Sequence, residues 1–258
     1  MPRAGTYHGK PLLSNHQKSW LWGTIPVWET LHANRWPIYE LVLSTSASQP
    51  IHQQCLDVAE NRGITIRTEA SSRLQQLCGS TDHQGLLALM GPFPYTPISQ
   101  LLEFVNPTDV IVLLDRLQDP FNAGAIIRSA AVFGVQGIVI GTESQVGMTS
   151  HVARSSAGTV NQLPVSRVEN LNETVAQLQQ HGYQILATTA DAKVSVTDIR
   201  ASSDQQHPVV VIIGNEASGV SPDLLSLCDK EISIPMKGTA ESLNAAVAAG
   251  VVLFELTK

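Results

Sequence analysis

The sequence predicts an α/β protein of two domains, the larger of which is built on a parallel β-sheet. After residue 108, strands of continuous valine, isoleucine and leucine alternate with helical segments, which is typical of a parallel sheet covered on both faces. A smaller α/β pattern precedes them. Between the two lies GPFPYTP (91–97), whose prolines and glycine interrupt both helix and sheet and indicate a domain boundary.

The smaller domain is predicted at residues 20–91, after a polar leader at 1–19 that we expect to be poorly ordered. Near-helical apolar spacing begins at Leu21, and Trp36-Pro37 stops it because the residue before a proline disfavours helix. Beyond that point the pattern predicts strands at 38–44, 64–68 and 85–90, and helices at 51–63 and 71–78.

A predicted linker at 92–108 leads to the larger domain at 109–258. Ligands in open α/β sheets bind beyond the carboxyl ends of the strands, so the turns after the strands are where a site is expected. The predicted strands are 110–114, 137–141, 184–189, 209–214 and 231–235, and the predicted helices are 123–133, 171–181 and 241–256.

The composition excludes several classes of protein. Apolar residues make up 43% and charged residues 15%, which excludes a disordered chain, and no apolar run reaches the ~18 residues of a transmembrane helix. The N-terminus has no convincing secretory or organellar signal, so a cytoplasmic location is expected. Cys55, Cys78 and Cys228 are widely spaced with no CxxC pair, which predicts free thiols and neither a disulfide framework nor a metal site.

The net charge of −6 lies mostly in the larger domain. Residues 1–95 carry seven Lys and Arg against six Asp and Glu, whereas residues 96–258 carry nine against sixteen. Because phosphate neutralisation needs Lys and Arg, a nucleic-acid ligand would require a local basic patch or a groove built by a dimer. Candidate phosphate contacts in the smaller domain are Arg3, Lys10, Lys18, Arg35, Arg62, Arg67 and Arg73, each of which, taken singly, is better explained as a solvated charge.

Three turns that follow predicted strands carry polar residues. The first lies in LDRLQDPFNAGAIIRSAAVFG (114–134), where Asn122 and Gly124 allow backbone amides to approach an anion. Arg128 follows a turn and a half into the helix. Taken alone, Asn122 is equally well explained as a helix N-cap and Arg128 as a solvated surface residue.

The second turn lies in VVVIIGNEASGVSP (209–222), where a buried-looking strand runs into Gly214-Asn215-Glu216-Ala-Ser-Gly219. This turn nearly spells the phosphate loop GxxxxGK[ST]. Val220 stands in place of the lysine that would hold the outer phosphates, which argues against a nucleotide triphosphatase. A glycine-rich turn with a glutamate can still hold a polar ligand against backbone amides. The alternative is a plain turn in which Glu216 caps the next helix.

The third turn lies in EISIPMKGTAESLNAAVAAGVVLFE (231–255), where Ser242-Leu243-Asn244 opens an alanine-rich helix. The small residues suit a helix that packs closely or lies between subunits. Alone, Ser242 and Asn244 indicate no more than capping. His83, a lone histidine in the turn Asp-His-Gln-Gly, is typical of a structural residue.

Together, in this order and spacing, the three turns resemble the signature motifs of the SpoU (TrmH-like) family of RNA 2′-O-ribose methyltransferases, within the SPOUT superfamily. The resemblance spans residues 110–255 and is carried by NAGAIIRSA, IIGNEASGVS and ISIPMKGTAESLNAAVA. The HQG segment at 83–85 and its α/β surroundings also resemble the L30e-like RNA substrate-binding domain of many members.

The resemblance implies a catalytic domain with a deep trefoil knot near the C-terminus and a homodimer with its active site at the subunit interface. It implies S-adenosylmethionine as the cofactor and RNA as the partner, whereas the expectation of no metal and no membrane comes from the composition and the cysteine spacing. The implied cofactor-binding residues are Gly214, Asn215, Glu216, Gly219, Ile234, Met236, Ser242 and Leu243, and the implied catalytic residues are Arg128, Asn122, Glu216, Ser242 and Asn244.

The implied reaction is methylation of a ribose 2′-hydroxyl. The two-domain architecture favours 23S-type ribosomal RNA by family analogy, with transfer RNA as the alternative substrate. Since a guanidinium stays protonated in proteins, Arg128 is interpreted as a clamp on the phosphate of the target nucleotide rather than as a free base. A non-catalytic RNA-binding relative would keep the fold and lose site residues, and the joint presence of all five catalytic candidates argues against it.

Overall fold

The computed structural model describes residues 19–201, 207–239 and 241–258, so all of the predicted leader except Ser19 lies outside the described residues. The chain divides into two compact units. The first comprises the residues up to Pro94 together with Thr149–Arg154, and the second comprises Tyr95–Met148 and Ser155–Lys258.

The described part of the first unit contains a four-stranded sheet with the strand order β1-β4-β2-β3. Strands β2 and β3 are parallel, and the other neighbouring pairs are antiparallel. Both tryptophans of β1 belong to the buried core of this unit. The elements are β1 (Trp20–Trp22), α1 (Thr24–Ala33), β2 (Ile38–Ser44), α2 (Pro50–Asn61), β3 (Thr65–Glu69), α3 (Ser71–Cys78) and β4 (Leu86–Met90).

The predicted helical spacing from Leu21 is wrong for its first two residues, because Leu21 and Trp22 belong to a strand that pairs with β4. Gly23 separates this strand from α1 with a φ of 97°, a conformation that favours glycine. The apolar pattern runs on across this break because both the strand and the helix bury residues here. Periodicity alone therefore could not separate the two elements.

The HQG turn before β4 is held by its own side chains. Gln84 Oε1 accepts hydrogen bonds from both the backbone N–H and the hydroxyl of Thr24, each at 2.9 Å. His83 is buried, its Nδ1 accepts from the N–H of Gly85 at 3.0 Å, and its Nε2 lies 3.2 Å from the hydroxyl of Ser71. These contacts agree with the structural interpretation of His83.

Residues Thr149–Arg154 group with the first unit although they come from the middle of the chain. The guanidinium of Arg154 lies 4.8 Å from the ring centroid of Trp22 and forms an ion pair with Asp82. The ring of His151 meets the same tryptophan edge-on, with 5.3 Å between the centroids. The segment therefore covers Trp22 with cationic and aromatic groups.

The described part of the second unit contains a seven-stranded sheet in which every neighbouring pair is parallel, so the predicted parallel sheet is confirmed. The strand order is β7-β6-β5-β10-β8-β11-β9. The elements are α4 (Ile98–Leu101), β5 (Val110–Leu114), α5 (Pro120–Val132), β6 (Gly137–Ile140), β7 (Val165–Arg167), α7 (Leu171–Gln180), β8 (Gln184–Thr188), β9 (Val194–Ser195), α8 (Val196–Ala201), β10 (Val209–Ile213), α9 (Pro222–Leu225), β11 (Lys230–Ser233) and α10 (Ala245–Thr257), with a short 3-10 helix at Thr159–Asn161. Helix α6 (Ser150–Ser155) lies, except for its last residue, in the segment that groups with the first unit.

Strands β5 and β10 position the site because they are central and end together. Every residue of VIVLL and VVVII is buried, as expected for the Val, Ile and Leu side chains of a parallel sheet that is covered on both faces. Val209 pairs with Val110, and Ile213 pairs with Leu114, so the two strands are in register. Their carboxyl ends therefore present the turns after residues 114 and 213 at one edge of the sheet.

Two helices of the second unit begin elsewhere than predicted. The helix predicted at 123–133 begins at Pro120, and its N-cap is Asp119, which accepts from the N–H of Phe121 at 2.9 Å. The interpretation of Asn122 as an N-cap is therefore wrong. The helix predicted at 241–256 begins at Ala245, because the Asn244 side chain caps it by accepting from two backbone N–H groups.

Three further findings concern the cysteines, the possible metal ligands and the length of the helices. All three cysteines are free, as predicted, and burial raises the pKa of Cys55 to about 12 and the pKa of Cys78 above its ordinary value. Among the described residues there is no cluster of three His, Cys, Asp or Glu that could hold a metal ion. None of the described helices is long and apolar enough to span a membrane.

Candidate active site

A cavity of about 390 Å³ opens where β8, β10 and β11 end. Its lining comes from the turns after these strands and from the first turns of α10. All eight residues that the sequence assigned to the cofactor are among the residues that line it: Gly214, Asn215, Glu216, Gly219, Ile234, Met236, Ser242 and Leu243. The structure thus brings the second and third motifs together around one space.

The loop at residues 214–221 is closed on itself. The backbone N–H of Asn215 donates to the carbonyl of Gly219 at 3.0 Å, and the N–H of Gly219 donates back at 2.9 Å. The Asn215 side-chain oxygen accepts from the N–H groups of Ala217 and Ser218, so this residue turns the loop. Val220 is buried in the core, so a lysine has no place here and the loop is not a triphosphate loop.

Gly214 allows the two ends of this loop to approach. A Cβ atom at Gly214 would lie 2.2 Å from both the carbonyl carbon of Gly219 and the nitrogen of Val220. Such distances are far inside van der Waals contact, and the opposing atoms are backbone, which cannot rotate away. The loop therefore requires glycine at this position for a close backbone approach rather than for an unusual φ.

A chain of side-chain hydrogen bonds joins the three motifs. Asn244 donates from Nδ2 to Oδ1 of Asn122 at 3.0 Å, and Asn122 donates from Nδ2 to Oε1 of Glu216 at 3.1 Å. The other carboxylate oxygen of Glu216 lies 3.4 Å from Nδ2 of Asn215. Residues from α5, from loop 214–221 and from the cap of α10 thus meet in one network.

The two ends of the network fix the direction of every hydrogen bond in it. The Oδ1 atom of Asn244 accepts from the N–H groups of Ala246 and Val247 as the cap of α10, so its Nδ2 must face Asn122. At the other end, the carboxylate of Glu216 accepts only, so the amide of Asn122 must point Nδ2 toward it. The orientation of each amide, and with it the donor to the Glu216 carboxylate, therefore follows from the hydrogen bonds themselves.

Arg128 is not part of this network. It is exposed on α5, six residues beyond Asn122, and within the described chain it forms no ion pair. Ser242 lines the cavity near the cap of α10 without a side-chain hydrogen bond in the described residues. Of the five predicted catalytic residues, the structure thus joins Asn122, Glu216 and Asn244, brings Ser242 to the same cavity, and leaves Arg128 on the surface.

One wall of the cavity was not predicted from the sequence, and it consists of Thr188, Thr189 and Ala190. The Thr188 hydroxyl donates to the carbonyl of Ile212 at 2.9 Å, which ties the end of β8 to β10. Their place in the sequence could have predicted this wall, because they lie at the end of a buried strand and so at the same carboxyl edge of the sheet as the other turns. Their side chains match no motif.

The candidate RNA contacts of the first unit are engaged within the protein where the structure describes them. The guanidinium of Arg35 lies over the Phe93 ring, and burial lowers its pKa. Arg62 donates to the carbonyl of Leu31, Arg67 pairs with Glu40 and Glu69, and Arg73 donates to Gln76. Arg3, Lys10 and Lys18 lie outside the described residues.

Replacing Asn122 by aspartate is expected to lower the melting temperature by about 2–4 °C. The new carboxylate would lose the donor that faces Glu216 and would place two negative charges about 3 Å apart. Thermal unfolding of Asn122→Asp followed by circular dichroism measures this effect.

Asn172→Asp is the matched control for that substitution. It adds the same charge in the first turn of α7, where the helix dipole favours an anion, so its melting temperature is expected to stay equal or to rise slightly. An equal loss of stability in both variants would indicate that the net charge of the chain, and not the network, is responsible.

Two family models match the chain. The model described as the SpoU rRNA Methylase family matches residues 109–254, and the model described as RNA 2′-O ribose methyltransferase substrate binding matches residues 20–96. The first match contains all three motifs that line or border the cavity, and the second covers the described sheet of the first unit.

Among curated proteins, the chain is similar to the putative TrmH family tRNA/rRNA methyltransferase YacO of Bacillus subtilis. The identity is 34% over 245 residues, which are 94% of this chain and 96% of that protein. It is also 34% identical over 260 residues to an uncharacterized tRNA/rRNA methyltransferase of Mycobacterium avium, covering 99% of this chain and 82% of that one.

Solved structures of similar fold include two with a cofactor. The SpoU methyltransferase AviRb from Streptomyces viridochromogenes, in complex with the cofactor AdoMet, gives a TM-score of 0.77 at 25% identity, over 92% of this chain and 88% of that chain. An AdoMet-bound rRNA methyltransferase from Sinorhizobium meliloti gives a TM-score of 0.76 at 28% identity, over 92% and 85%.

Proposed function

This chain belongs to the SpoU methylase family of RNA methyltransferases, and from that premise we propose that it methylates a ribose 2′-hydroxyl of 23S-type ribosomal RNA. The observation that carries the proposal is the hydrogen-bond network that joins Asn122 and Asn244 to Glu216, a residue of the cavity that the predicted cofactor residues line. S-adenosylmethionine is the methyl donor of the family and the cofactor of this site.

The residues present fit such a cofactor. A cavity of about 390 Å³ falls within the range of small-molecule sites, which are mostly apolar with a few placed polar groups. Here Ile234, Met236 and Leu243 supply apolar walls, and the backbone of loop 214–221 supplies polar atoms. The absence of a Cβ atom at Gly214 lets the backbone of Gly219 and Val220 approach, and this close approach gives the loop its shape.

When bound, S-adenosylmethionine supplies a methyl group on a positively charged sulfur. Transfer in line requires the ribose oxygen to be held behind that methyl group and to lose its proton. We assign the orientation of the nucleotide to Ser242, which lines the cavity, and to Asn244, which lies between two lining residues in sequence. Glu216 holds Asn122 through Oε1, and Asn122 in turn holds the amide of Asn244.

Arg128 completes the site as a clamp on the phosphate of the target nucleotide. A guanidinium is a fixed cation with several donors, suited to bind phosphate and unsuited to act as a free base. Bound in this way, the phosphate can help to remove the proton of the neighbouring hydroxyl. Arg128 is exposed and without an ion pair among the described residues, as an RNA-facing cation would be.

We propose that a second copy of the chain brings Arg128 to the network. Arg128 shares one face of α5 with Phe121 and Val132, which are 64% and 73% exposed. Helix α10 packs beside α5 and exposes apolar residues of its own. Exposed apolar side chains clustered in this way are typical of a subunit interface. On α10 they are Val247, Val251 and Phe254.

We also propose that the larger domain carries the deep trefoil knot of the family. The support is the family membership together with the lining of one cavity by the turns after β8, β10 and β11.

We propose that residues 20–91 recognise RNA and that residues 109–258 carry out methyl transfer. The linker at 92–108 joins them. Since the described arginines of the first unit have internal partners, recognition there depends on shape and on neutral groups as well as on charge.

The reaction is tested with purified protein, methyl-labelled S-adenosylmethionine, and equal amounts of 23S-type ribosomal RNA or transfer RNA. We expect label in the ribosomal RNA. After complete alkaline hydrolysis the label should remain in dinucleotides, because a methylated 2′-oxygen cannot attack the adjacent phosphate. A parallel calorimetric titration with S-adenosylmethionine and with ATP is expected to show saturable binding of the methyl donor alone.

Each other outcome corrects a different part of the proposal. Label in mononucleotides would place the methyl group on a base and contradict ribose methylation. Label in transfer RNA alone would change the substrate. Binding of S-adenosylmethionine without methyl transfer to either RNA would contradict the assigned substrate class. Binding of ATP without binding of S-adenosylmethionine would contradict the assignment of the cavity to the methyl donor.

A further inference from the structure

Two charged residues that the proposed reaction does not use, Asp115 and Arg116, lie beside loop 214–221 at the end of β5. Asp115 is 2% exposed, and its backbone N–H donates to the carbonyl of Ile213 at 2.9 Å, so the pairing with β10 continues past the last residue of β5. Arg116 then adopts a φ of 55°, in the left-handed region that a residue other than glycine rarely occupies.

The buried carboxylate of Asp115 has three donors. Arg116 donates from Nε to Oδ1 at 3.1 Å and from Nη2 to Oδ2 at 3.3 Å, and the backbone N–H of Ser221 donates to Oδ2 at 2.6 Å. A buried charge is tolerated when it is paired and hydrogen-bonded in this way. One end of loop 214–221 is therefore tied to the carboxylate.

Arg116 holds the same loop at two further points. Its Nη2 atom donates to the carbonyl of Gly219 at 3.2 Å, and its own carbonyl accepts from Nδ2 of Asn215 at 2.9 Å. Asn215 is the residue that turns the loop, and Gly219 closes it. The left-handed backbone of Arg116 is what allows its guanidinium to reach back to Asp115 while its carbonyl faces Asn215.

Neither residue touches the space where the cofactor is proposed to lie. The described residues that line the cavity include most of loop 214–221 but not Asp115 or Arg116. Their contacts instead fix the residues that do line it. The left-handed backbone of Arg116 is unfavourable, and its retention beside the loop indicates that the surrounding contacts are strong enough to hold it.

We propose that Asp115 and Arg116 are positioning residues that hold loop 214–221 in its cavity-lining form before the cofactor arrives. The proposal rests on the assigned cofactor site. A loop that is already ordered loses less conformational entropy when a ligand binds, so the pair raises the affinity for S-adenosylmethionine without contacting it. The effect is expected on donor binding and not on RNA binding.

The test is Arg116→Gly, which removes the guanidinium and at the same time relieves the left-handed backbone. We expect the KM for S-adenosylmethionine to rise by about tenfold, with kcat at saturating donor and the KM for RNA within twofold of wild type. The melting temperature is expected to fall, because the buried Asp115 carboxylate would keep only the N–H of Ser221 as a donor, and the relief that glycine gives to the backbone offsets only part of this loss. A lower melting temperature with an unchanged donor KM would show a merely structural role and overturn the proposal.

Two further variants sharpen the comparison. Ser144→Gly relieves a similar left-handed residue, with a φ of 50°, in an exposed turn, and it is expected to leave the donor KM unchanged. Asp115→Asn keeps the volume of the side chain but loses its charge and one acceptor, so it should raise the donor KM in the same direction as Arg116→Gly. An equal rise in Ser144→Gly would also overturn the proposal.

Hydrogen exchange of the cofactor-free protein separates this proposal from the proposed function. We expect peptides that cover residues 214–221 to exchange faster in Arg116→Gly than in wild type, whichever RNA is methylated. Methyl transfer to a base would contradict the proposed function and leave this comparison intact. Unchanged exchange and unchanged donor KM would show that the loop orders without the pair.

Discussion

Gly214→Ala is expected to weaken the binding of S-adenosylmethionine by about 10- to 100-fold and to lower the stability of the protein. The added Cβ atom would lie 2.2 Å from two backbone atoms and 2.6 Å from the carbonyl oxygen of Gly219. Since none of these atoms belongs to a flexible side chain, loop 214–221 must open. Opening it moves the residues that line the cavity and breaks the hydrogen bonds between Asn215 and Gly219.

Calorimetric titration of Gly214→Ala measures the affinity, and circular dichroism establishes that the variant is folded. Gly238→Ala is the matched control, because a Cβ atom there meets nothing within 4 Å and the position lies in the segment after β11. Its affinity for the donor is expected to remain within twofold of wild type. A folded Gly214→Ala variant with wild-type affinity would show that the close approach in this loop does not matter for the cofactor.

Arg128→Ala is expected to lower kcat/KM for RNA methylation by about 10²- to 10³-fold while the affinity for S-adenosylmethionine stays within twofold. The side chain is exposed and lies outside the cavity, so its loss should affect the bound nucleotide and not the donor. Arg128→Lys is expected to recover part of the activity, because it keeps the charge and loses the planar fork of donors.

Lys193→Ala serves as the control for Arg128→Ala, since it removes one exposed positive charge from the same unit, and its activity is expected to change by less than twofold. Mixing Arg128→Ala with Asn244→Ala tests the shared site. If Arg128 of one subunit works with Asn244 of the other, mixed dimers regain activity that neither variant has alone. Full activity of Arg128→Ala would remove this residue from the mechanism.

The sequence predicted the parts of the fold that buried strands determine. VIVLL and VVVII are fully buried, so continuous runs of Val, Ile and Leu identified β5 and β10 within one residue. Strands β7 and β9, with three and two residues, lie at the two edges of their sheet and were missed. Their pairing depends on partners far away in sequence and leaves no local pattern.

The same contrast applies to the site. Asn122, Glu216 and Asn244 were found because each lies in a motif, but their mutual contacts arise only when three strand ends meet at one edge of the sheet. Asp115 and Arg116 were not predicted as functional residues, because two charged residues after a strand are common in protein sequences. The left-handed backbone of Arg116 has no signal in sequence, since glycine and asparagine are the residues that usually indicate that conformation.

The segment Thr149–Arg154 makes the first unit discontinuous in sequence. A fragment cut at the boundary after Pro94 would lack His151 and Arg154, and the ring of Trp22 that they cover would lose two aromatic and cationic neighbours. To exchange the first unit between related enzymes, two segments must therefore be transferred: the residues up to Pro94 and the six residues Thr149–Arg154. Chimeras that transfer both pieces are expected to remain soluble at concentrations at which single-piece chimeras aggregate.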